Sequence, residues 1–233
     1  MPFQPLETRR LYERVAEQIA ELIRAGEFLP GQRLPAERDL AKTLGVSRPV
    51  VREAMIALEI AGQVEVRIGA GAFVRDRSLE PAPTLNAGNS PSDIINARIL
   101  IEGEICALAS ESVGELELAA IAATVDEMTR EHDAGRPWQS ADLAFHVAIA
   151  SATGNAALAG VVERLWQEQH SPVFELLSQR VNLRENWRAT LEGHQQILAA
   201  LRAKRPKAAK AALRAHLSQT LEVMTGDAPA AGE

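Results

Sequence analysis

Apolar residues recur at helical spacing along most of this 233-residue chain. In residues 9–24 they form one stripe, which Gly26 ends. From residue 92 onward, amphipathic segments follow one another, separated by glycine, proline or asparagine, and no alternating stretch indicates a strand. We therefore expect an all-α bundle of six or seven helices in this part of the chain. The pattern predicts helices near 92–112, 115–133, 138–153, 155–179 with a kink at Pro172, 183–203 and 206–224.

The segment 92–112 carries apolar residues around nearly its whole circumference. A helix of this kind must be covered on more than one side. Its place is therefore either the centre of the bundle or an interface between subunits, and the pattern leaves both open.

The helical pattern is interrupted between Asp76 and Ser92, where prolines mix with glycine, asparagine and serine without any period. This composition is typical of a linker. The sequence therefore predicts a first domain of residues 1–76, a linker of residues 77–91, a helical domain of residues 92–225 and a flexible tail of residues 226–233.

Two helices joined by a tight turn are predicted in the N-terminal third. The first covers residues 36–44, and the second begins with Ser47 as its N-cap and ends at Gly62. Gly45 occupies the connection, where a positive φ is usually needed. This is the outline of a helix-turn-helix.

A wing is predicted directly after these helices. The segment QVEVRIGAGAFV indicates two short strands, 63–67 and 72–75, joined through Gly69 and Gly71. Its glycines would let the backbone approach a DNA groove. The predicted fold is thus mainly α, with an N-terminal winged helix-turn-helix and a C-terminal helical bundle.

Three arginines of the helix-turn-helix are candidates for DNA contact. Arg48 and Arg52 share the polar face at the start of the second helix, where side chains reach base edges and a guanidinium matches guanine O6 and N7. Arg38, in the preceding helix, could bind a phosphate or a base. The alternative is that these arginines solvate a surface and pair with the nearby Glu37 and Glu53.

The charge distribution makes the N-terminal third the only plausible polyanion binder. Residues 1–78 contain 12 Lys/Arg and 11 Asp/Glu, whereas the remaining residues contain 13 and 20. No apolar run is long enough to span a membrane, and the N-terminus lacks the apolar core of a secretory signal. The single cysteine, Cys106, lies among apolar residues, as a buried thiol does. We expect a cytoplasmic protein without a membrane partner.

The segment DLAFH places Asp142 and His146 one helical turn apart, where both can bind one ion. Two ligands make a weak site, but His194 and His216 flank apolar positions of later helices and are candidates to complete it. Taken singly, each of these residues is more commonly a core or surface group than a ligand. Two further histidines lie in polar surroundings and are expected to be solvated: His132 and His170.

The segment LPAERDLAKTLGVSRPVVREAMIALEIAGQVEVRIGAGAFV resembles the DNA-binding domain of the GntR family of bacterial transcription regulators. It matches the family patterns P-A-E-R, V-S-R-x-x-V-R-E-A and the wing pattern G-x-G-x-x-V, over roughly residues 9–75. The resemblance implies double-stranded operator DNA as a partner. It also implies that five residues touch the DNA: Arg38, Ser47, Arg48, Arg52 and Gly69.

Residues 92–224 resemble the FCD effector domain of the FadR subfamily, in which an Arg-x-x-x-Glu helix precedes D-x-x-x-H and two later histidines. The resemblance implies a divalent metal, with zinc as the first choice and nickel or manganese as alternatives. Arg98 would then hold the carboxylate of a small organic acid effector, and Asn155 would donate a hydrogen bond to it. The alternative for Arg98 is a surface pair with Glu102. The implied ligand set is Asp142, His146, His194 and His216.

Several stretches, among them NARILIE and DLAFHVAIASATGNAALAGVVERLW, resemble the hexuronate-utilisation repressors. This likeness implies galacturonate, glucuronate or a close catabolite as the effector. Lactate, another sugar acid or a dicarboxylate are the alternatives. We further expect a homodimer on a palindromic operator, because a two-fold protein matches two-fold DNA, and repression that the effector relieves.

An enzyme is the remaining class, because a metal held by one aspartate and three imidazoles could activate a water. The sequence shows no nucleophile elbow, phosphate loop or dinucleotide fingerprint, however. We therefore expect no catalytic activity and no catalytic residues.

Overall fold

A computed structural model describes residues 10–67, 69–76, 88–180 and 187–225. The described chain is mostly helical, with one antiparallel pair of short strands. Its helices and strands are α1 (Leu11–Arg24), α2 (Glu37–Leu44), α3 (Arg48–Ile60), β1 (Val64–Arg67), β2 (Gly71–Val74), α4 (Pro91–Ser112), α5 (Glu115–Asp133), α6 (Gln139–Ser151), α7 (Ala156–Gln167), α8 (Pro172–Arg180), α9 (Trp187–Arg202) and α10 (Pro206–Thr225).

The described residues fall into two compact units. The N-terminal unit is drawn from residues 1–92 together with 171–177, and the C-terminal unit from residues 93–170 and 178–233. No described helix has the length and apolar content needed to cross a bilayer.

The core of the N-terminal unit lies between α1 and α3, which pack against each other. The apolar stripe of α1 is buried there through Val15, Ile19 and Ile23. Burial of each such side chain contributes about 1.5–3 kcal/mol. Four apolar residues that share one face of α3 are all buried: Val51, Ala54, Met55 and Leu58.

The turn between α2 and α3 has the predicted form. Gly45 ends α2 in the left-handed region, with a φ of 69°. Ser47 occupies the N-cap position of α3 in an extended conformation, but its side chain makes no capping hydrogen bond. The Ser47 hydroxyl therefore does not cap α3 through a hydrogen bond.

The wing contains more backbone pairing than the sequence indicates. β1 and β2 pair with Val64 opposite Val74, as expected of a hairpin. The segment 31–34 adds to the other edge of β2, where Gly31 N donates to Val74 O at 2.8 Å and Leu34 N donates to Ala72 O at 2.8 Å. This extended segment was not predicted because it shows no alternation of its own.

The core of the C-terminal unit forms where α6 packs against α5 and α7, and where α9 packs against α5 and α10. Each of these helices contributes fully buried apolar side chains to it: Ile121, Met128, Phe145, Ile149, Val162, Ile197, Leu201, Leu213 and Leu217. The helix that carries DLAFH is therefore an interior helix of this unit.

The helix predicted over 155–179, with a kink at Pro172, is interrupted close to that proline and is not a single element. It divides into α7, a 3₁₀ turn over Glu168–His170, and α8. Pro172 starts α8 because a proline is favoured in a first turn and disfavours helical geometry in the residue before it. Ser171 caps the new helix, since its Oγ accepts from Phe174 N at 3.3 Å. For the helix predicted over 183–203, residues 181–186 lie outside the described residues.

In the single chain, α4 is buried around most of its circumference but keeps one exposed stripe that includes apolar residues. Cys106 and Ala109 are fully buried, whereas Leu100 and Leu108 are 62% and 50% exposed. A place in the centre of the bundle is therefore wrong for this helix. An interface between subunits stays a prediction. Residues 77–87 of the linker predicted over 77–91, and the tail predicted over 226–233, fall outside the described residues.

Candidate functional site

The structure brings the four predicted ligands together in the C-terminal unit. Asp142 and His146 come from α6, His194 from α9 and His216 from α10, and one ligand atom of each lies within 4.8 Å of all the others. The three imidazoles are buried, and the Asp142 side chain is 15% exposed. The i, i+4 spacing on α6 therefore produces the shared face that the sequence indicates.

The Asp142 carboxylate lies close to two of the three imidazoles. Its Oδ1 is 2.7 Å from His194 Nε2 and 3.6 Å from His146 Nε2. His194 Nδ1 lies 2.9 Å from the carbonyl oxygen of Thr190, which can only accept, so this nitrogen donates. In a neutral ring, the Nε2 lone pair then faces a carboxylate oxygen. Two acceptors at this distance need a proton or a metal cation between them.

Glu102 orients the second histidine. Its Oε2 lies 2.6 Å from His146 Nδ1, which favours the N–H on that nitrogen and leaves Nε2 toward Asp142. Glu102 is itself bound by Arg98, whose Nε lies 2.6 Å from Glu102 Oε1. A carboxylate behind a histidine is a common second-shell arrangement at metal sites. The sequence marks Glu102 only as the partner of Arg98, because its contact with His146 spans 44 residues.

Arg98 points inward and is buried. The predicted pair with Glu102 is present, but both side chains are buried. The alternative that this pair lies on the surface is therefore wrong. Its guanidinium carbon also lies 5.0 Å from the ring centroid of Trp166. Arg98 is thereby held between an anion and an aromatic face, one helical turn from Glu102.

The charges of the site are set by competition between burial and partners. Burial raises the pKa of Asp142, but hydrogen bonds with His146 and His194 outweigh it and hold the pKa well below its usual range. Burial likewise raises the pKa of Glu102, but Arg98 and His146 lower it to about 2. Burial lowers the pKa of His146, yet the Glu102 charge turns the net shift upward. Burial and the neighbouring histidines hold the pKa of His216 well below its usual range, so this ring is neutral.

The donor set fits a divalent first-row metal. One carboxylate and three imidazoles are ligands that zinc, nickel and manganese accept. Three buried ring nitrogens, both of His146 and Nδ1 of His216, have no partner with hydrogen-bond geometry among the described residues, although Glu102 Oε2 lies 2.6 Å from His146 Nδ1. Buried polar atoms without partners are rare in folded proteins. A bound cation would therefore give these nitrogens the partner that the surrounding side chains do not supply.

Asn155 stabilises the start of α7. It is the N-cap of α7, and its Oδ1 accepts from Ala157 N at 3.0 Å and from Leu158 N at 3.4 Å. Its predicted hydrogen bond to an effector stays a prediction.

Two other histidines were predicted to be solvated. His132 is only partly so, because its ring stacks on Trp187 with centroids 4.3 Å apart. The side chain of His170 lies outside what the structure describes.

Most of the predicted DNA contacts lie on the surface of the N-terminal unit. The Arg38 side chain is 83% exposed, and Ser47 and Arg48 are exposed at the start of α3. Gly69 is exposed between the wing strands with a φ of 73°. These four residues are therefore accessible to a duplex.

Arg52 differs from the other predicted contacts. It is half-buried, and its Nη2 and Nε lie 2.8 and 3.4 Å from the two carboxylate oxygens of Glu37. The alternative of arginine–glutamate pairing is therefore observed for this residue. The pair joins α2 to α3 and holds the guanidinium at the surface of the helix-turn-helix.

Glu53, the other glutamate considered for arginine pairing, points inward. It is buried, and its Oε1 accepts from Ser92 N at 3.1 Å. Nearby, Tyr12 Oη donates to Gly88 O at 2.7 Å, and Arg10 Nε donates to Asn89 Oδ1 at 3.0 Å. Residues 88–92 are therefore bound to α1 and α3, although the sequence assigns most of them to a linker. No local pattern signals these contacts.

The whole described architecture has counterparts among known proteins. Residues 11–74 match the model of the bacterial regulatory proteins of the gntR family, and residues 93–219 match that of the FCD domain. The chain is 40% identical over 224 residues to the Exu regulon transcriptional regulator of Escherichia coli K12, covering 92% of this chain and 84% of that protein. It is 37% identical to the Uxu operon transcriptional regulator of the same strain, covering 90% and 84%.

A solved structure supports the fold alone. The structure titled E. coli McbR/YncC is 23% identical, covers 95% of this chain and all of that chain, and superposes with a TM-score of 0.52.

Proposed function

We propose that this chain, which belongs to the gntR family of bacterial regulatory proteins and carries an FCD domain, is a repressor whose operator affinity falls when a metal-bound organic acid occupies its C-terminal unit. The chain is a DNA-binding transcription regulator and not an enzyme, because its family consists of regulatory proteins and its relatives are transcription regulators. The metal, the effector, the homodimer and the cytoplasmic location are parts of the proposal.

One observation carries the sensor proposal. Four ligand atoms from three helices lie within 4.8 Å of one another, and two of the rings have their outer nitrogens directed at acceptors. Thr190 O and Glu102 thus hold the His194 and His146 rings with Nε2 inward. Zinc is our first choice, with nickel or manganese as alternatives. When bound, such an ion supplies a Lewis acid for the carboxylate and a neighbouring oxygen of an acid.

The effector class follows from the chemistry of the site and from the names of the relatives. Exu and Uxu regulators suggest a hexuronate, whose carboxylate adjoins hydroxyl oxygens. A guanidinium has five N–H donors, and the two contacts with Glu102 leave donors of Arg98 for that carboxylate. Asn155 would add a hydrogen bond. Lactate, another sugar acid or a dicarboxylate are the alternatives.

On DNA, we expect a homodimer with one reader on each half-site of a palindromic operator. Arg38, Ser47, Arg48 and Gly69 would contact the duplex, and Arg52 would do so with the donors that Glu37 leaves. An effector can release the operator only if it binds the DNA-incompetent arrangement more tightly. Within the N-terminal unit, the bonds to residues 88–92 mean that a shift of this segment would reach α3 directly.

The metal proposal is tested on protein purified without chelator. We expect about one divalent ion per chain in the wild type, and none in a His146→Ala plus His194→Ala variant. His132→Ala is the matched control, because this histidine lies outside the cluster, and it should retain the ion. A wild-type protein that neither contains nor takes up zinc, nickel or manganese would contradict the site.

The effector proposal is tested on operator fragments that the protein selects from a random DNA pool. Galacturonate or glucuronate should weaken binding by the metal-loaded wild type, measured by fluorescence anisotropy, and should have no effect on the double variant. The effector proposal would be refuted if neither the hexuronates nor lactate, another sugar acid or a dicarboxylate changed the operator affinity of the metal-loaded protein.

A further inference from the structure

Gly193 lies in the middle of α9, directly before His194, and is buried. A Cβ built on it would lie 2.5 Å from His216 Nδ1, 3.2 Å from Cγ and 3.3 Å from Cβ of the same residue. These atoms belong to the near part of a buried ring and not to the free end of a flexible side chain. The absence of a side chain at position 193 is therefore what lets His216 occupy its place.

The backbone does not explain this glycine. The φ of Gly193 is not positive, and the residue lies in the interior of a regular helix. Glycine there costs about 1 kcal/mol relative to alanine. The gain that offsets this cost is the close approach of α10, which brings the rings of His194 and His216 to 4.3 Å between centroids.

We propose that Gly193 is a positioning residue for the fourth ligand. It admits His216 to the cluster that Asp142, His146 and His194 form, an inference that rests on the proposed metal site. Non-bonded carbon atoms ordinarily lie 3.5–4.0 Å apart, so an alanine here would displace the ring by about 1 Å. Metal–nitrogen bonds near 2.0–2.1 Å tolerate only about 0.2 Å. The displaced ring would no longer coordinate.

The test compares two helical glycines. Gly193→Ala should weaken zinc affinity by about 10–100-fold, the range seen when the support of a ligand is lost, measured by competition with a chromophoric chelator. Gly160→Ala in α7 is the matched control, because an added Cβ there meets nothing within 4 Å. Its affinity should equal that of the wild type. Cobalt(II) spectra should change in the first variant and not in the second, reporting the loss of a ligand.

A double-mutant cycle separates positioning from general damage. In a His216→Ala background the two closest atoms of the ring are gone and only the Cβ contact at 3.3 Å remains, so Gly193→Ala should lower the zinc affinity and the melting temperature much less than it does in the wild type. An affinity loss of equal size in both backgrounds, or wild-type affinity in the single variant, would overturn the role of Gly193 while leaving the metal site standing. A wild-type chain without zinc affinity would instead overturn the metal site and this inference together.

Discussion

Glu102→Gln is expected to weaken both the fold and the cation site, because this carboxylate faces Arg98 on one side and His146 on the other. The two contacts are 2.6 Å each, and Arg98 and His146 are both buried. Removing one member of a buried ion pair leaves an uncompensated charge and costs about 3–5 kcal/mol. Glutamine keeps an acceptor for the guanidinium, so we expect about 3 kcal/mol. That is a large share of the roughly 5–15 kcal/mol that holds a typical domain.

The same substitution should act on the ring of His146. The anionic oxygen behind Nδ1 favours the tautomer with Nε2 inward and raises the basicity of the ligand nitrogen. A neutral amide would do both less well. We therefore expect a decrease in zinc affinity of about 10–100-fold, apart from the loss of stability.

Urea unfolding followed by circular dichroism, and chelator competition, measure the two effects. Glu104→Gln, on the same helix, is the control. Glu104 is 62% exposed and pairs with Lys210 at the surface, so its loss should cost only about 0–1 kcal/mol and leave zinc affinity unchanged. Equal destabilisation by the two substitutions would refute the buried pair. Equal zinc affinity would refute the orienting role of Glu102.

The remaining predictions concern the metal, the DNA and the thiol. Zinc at one hundred times its Kd should stabilise the wild type by about 2.7 kcal/mol, and should not stabilise the His146→Ala plus His194→Ala variant in the same unfolding assay. Arg48→Ala should cost roughly 1–3 kcal/mol of specific operator binding and relax the sequence preference; retained selectivity in a competition assay would exclude a base contact. Burial, with the charge of Glu102, raises the pKa of Cys106 to about 12. Thiol reagents at pH 8 should therefore modify it only after unfolding, and rapid native labelling would contradict its burial.

Helix boundaries could be predicted well where a glycine or proline interrupts the helical spacing of apolar residues. The helix predicted over 115–133 coincides with α5, and that over 206–224 differs from α10 by one residue, because Gly114 and Pro206 mark their starts. The interruption between α7 and α8 is predicted only as a kink at Pro172, because apolar spacing continues through it. A proline in such a run permits either a kink or a new helix, and the capping bond of Ser171 that decides it is tertiary detail.

The ligand set could be proposed from spacing and resemblance, but its supports could not. Thr190 O and Glu102 orient two rings through contacts that depend on helix packing. The same limit applies to Arg52, since an arginine on a polar helix face looks alike whether it reaches DNA or binds Glu37. Gly193 is a further case: its meaning depends on a ring 23 residues away, at His216.

Charge balance in the C-terminal unit distinguishes among the candidate effectors. Arg98 and Glu102 cancel each other in a buried pair. Metal-bound imidazoles are neutral, so a divalent ion held by Asp142 and three histidines leaves one positive charge. Uncompensated charge is costly in a buried site, and a monocarboxylate removes it whereas a dicarboxylate reverses it. We therefore expect a uronate or lactate to bind the metal-loaded protein more tightly than a dicarboxylate of similar size. Calorimetric titration with tighter dicarboxylate binding would show that additional cationic groups face the effector.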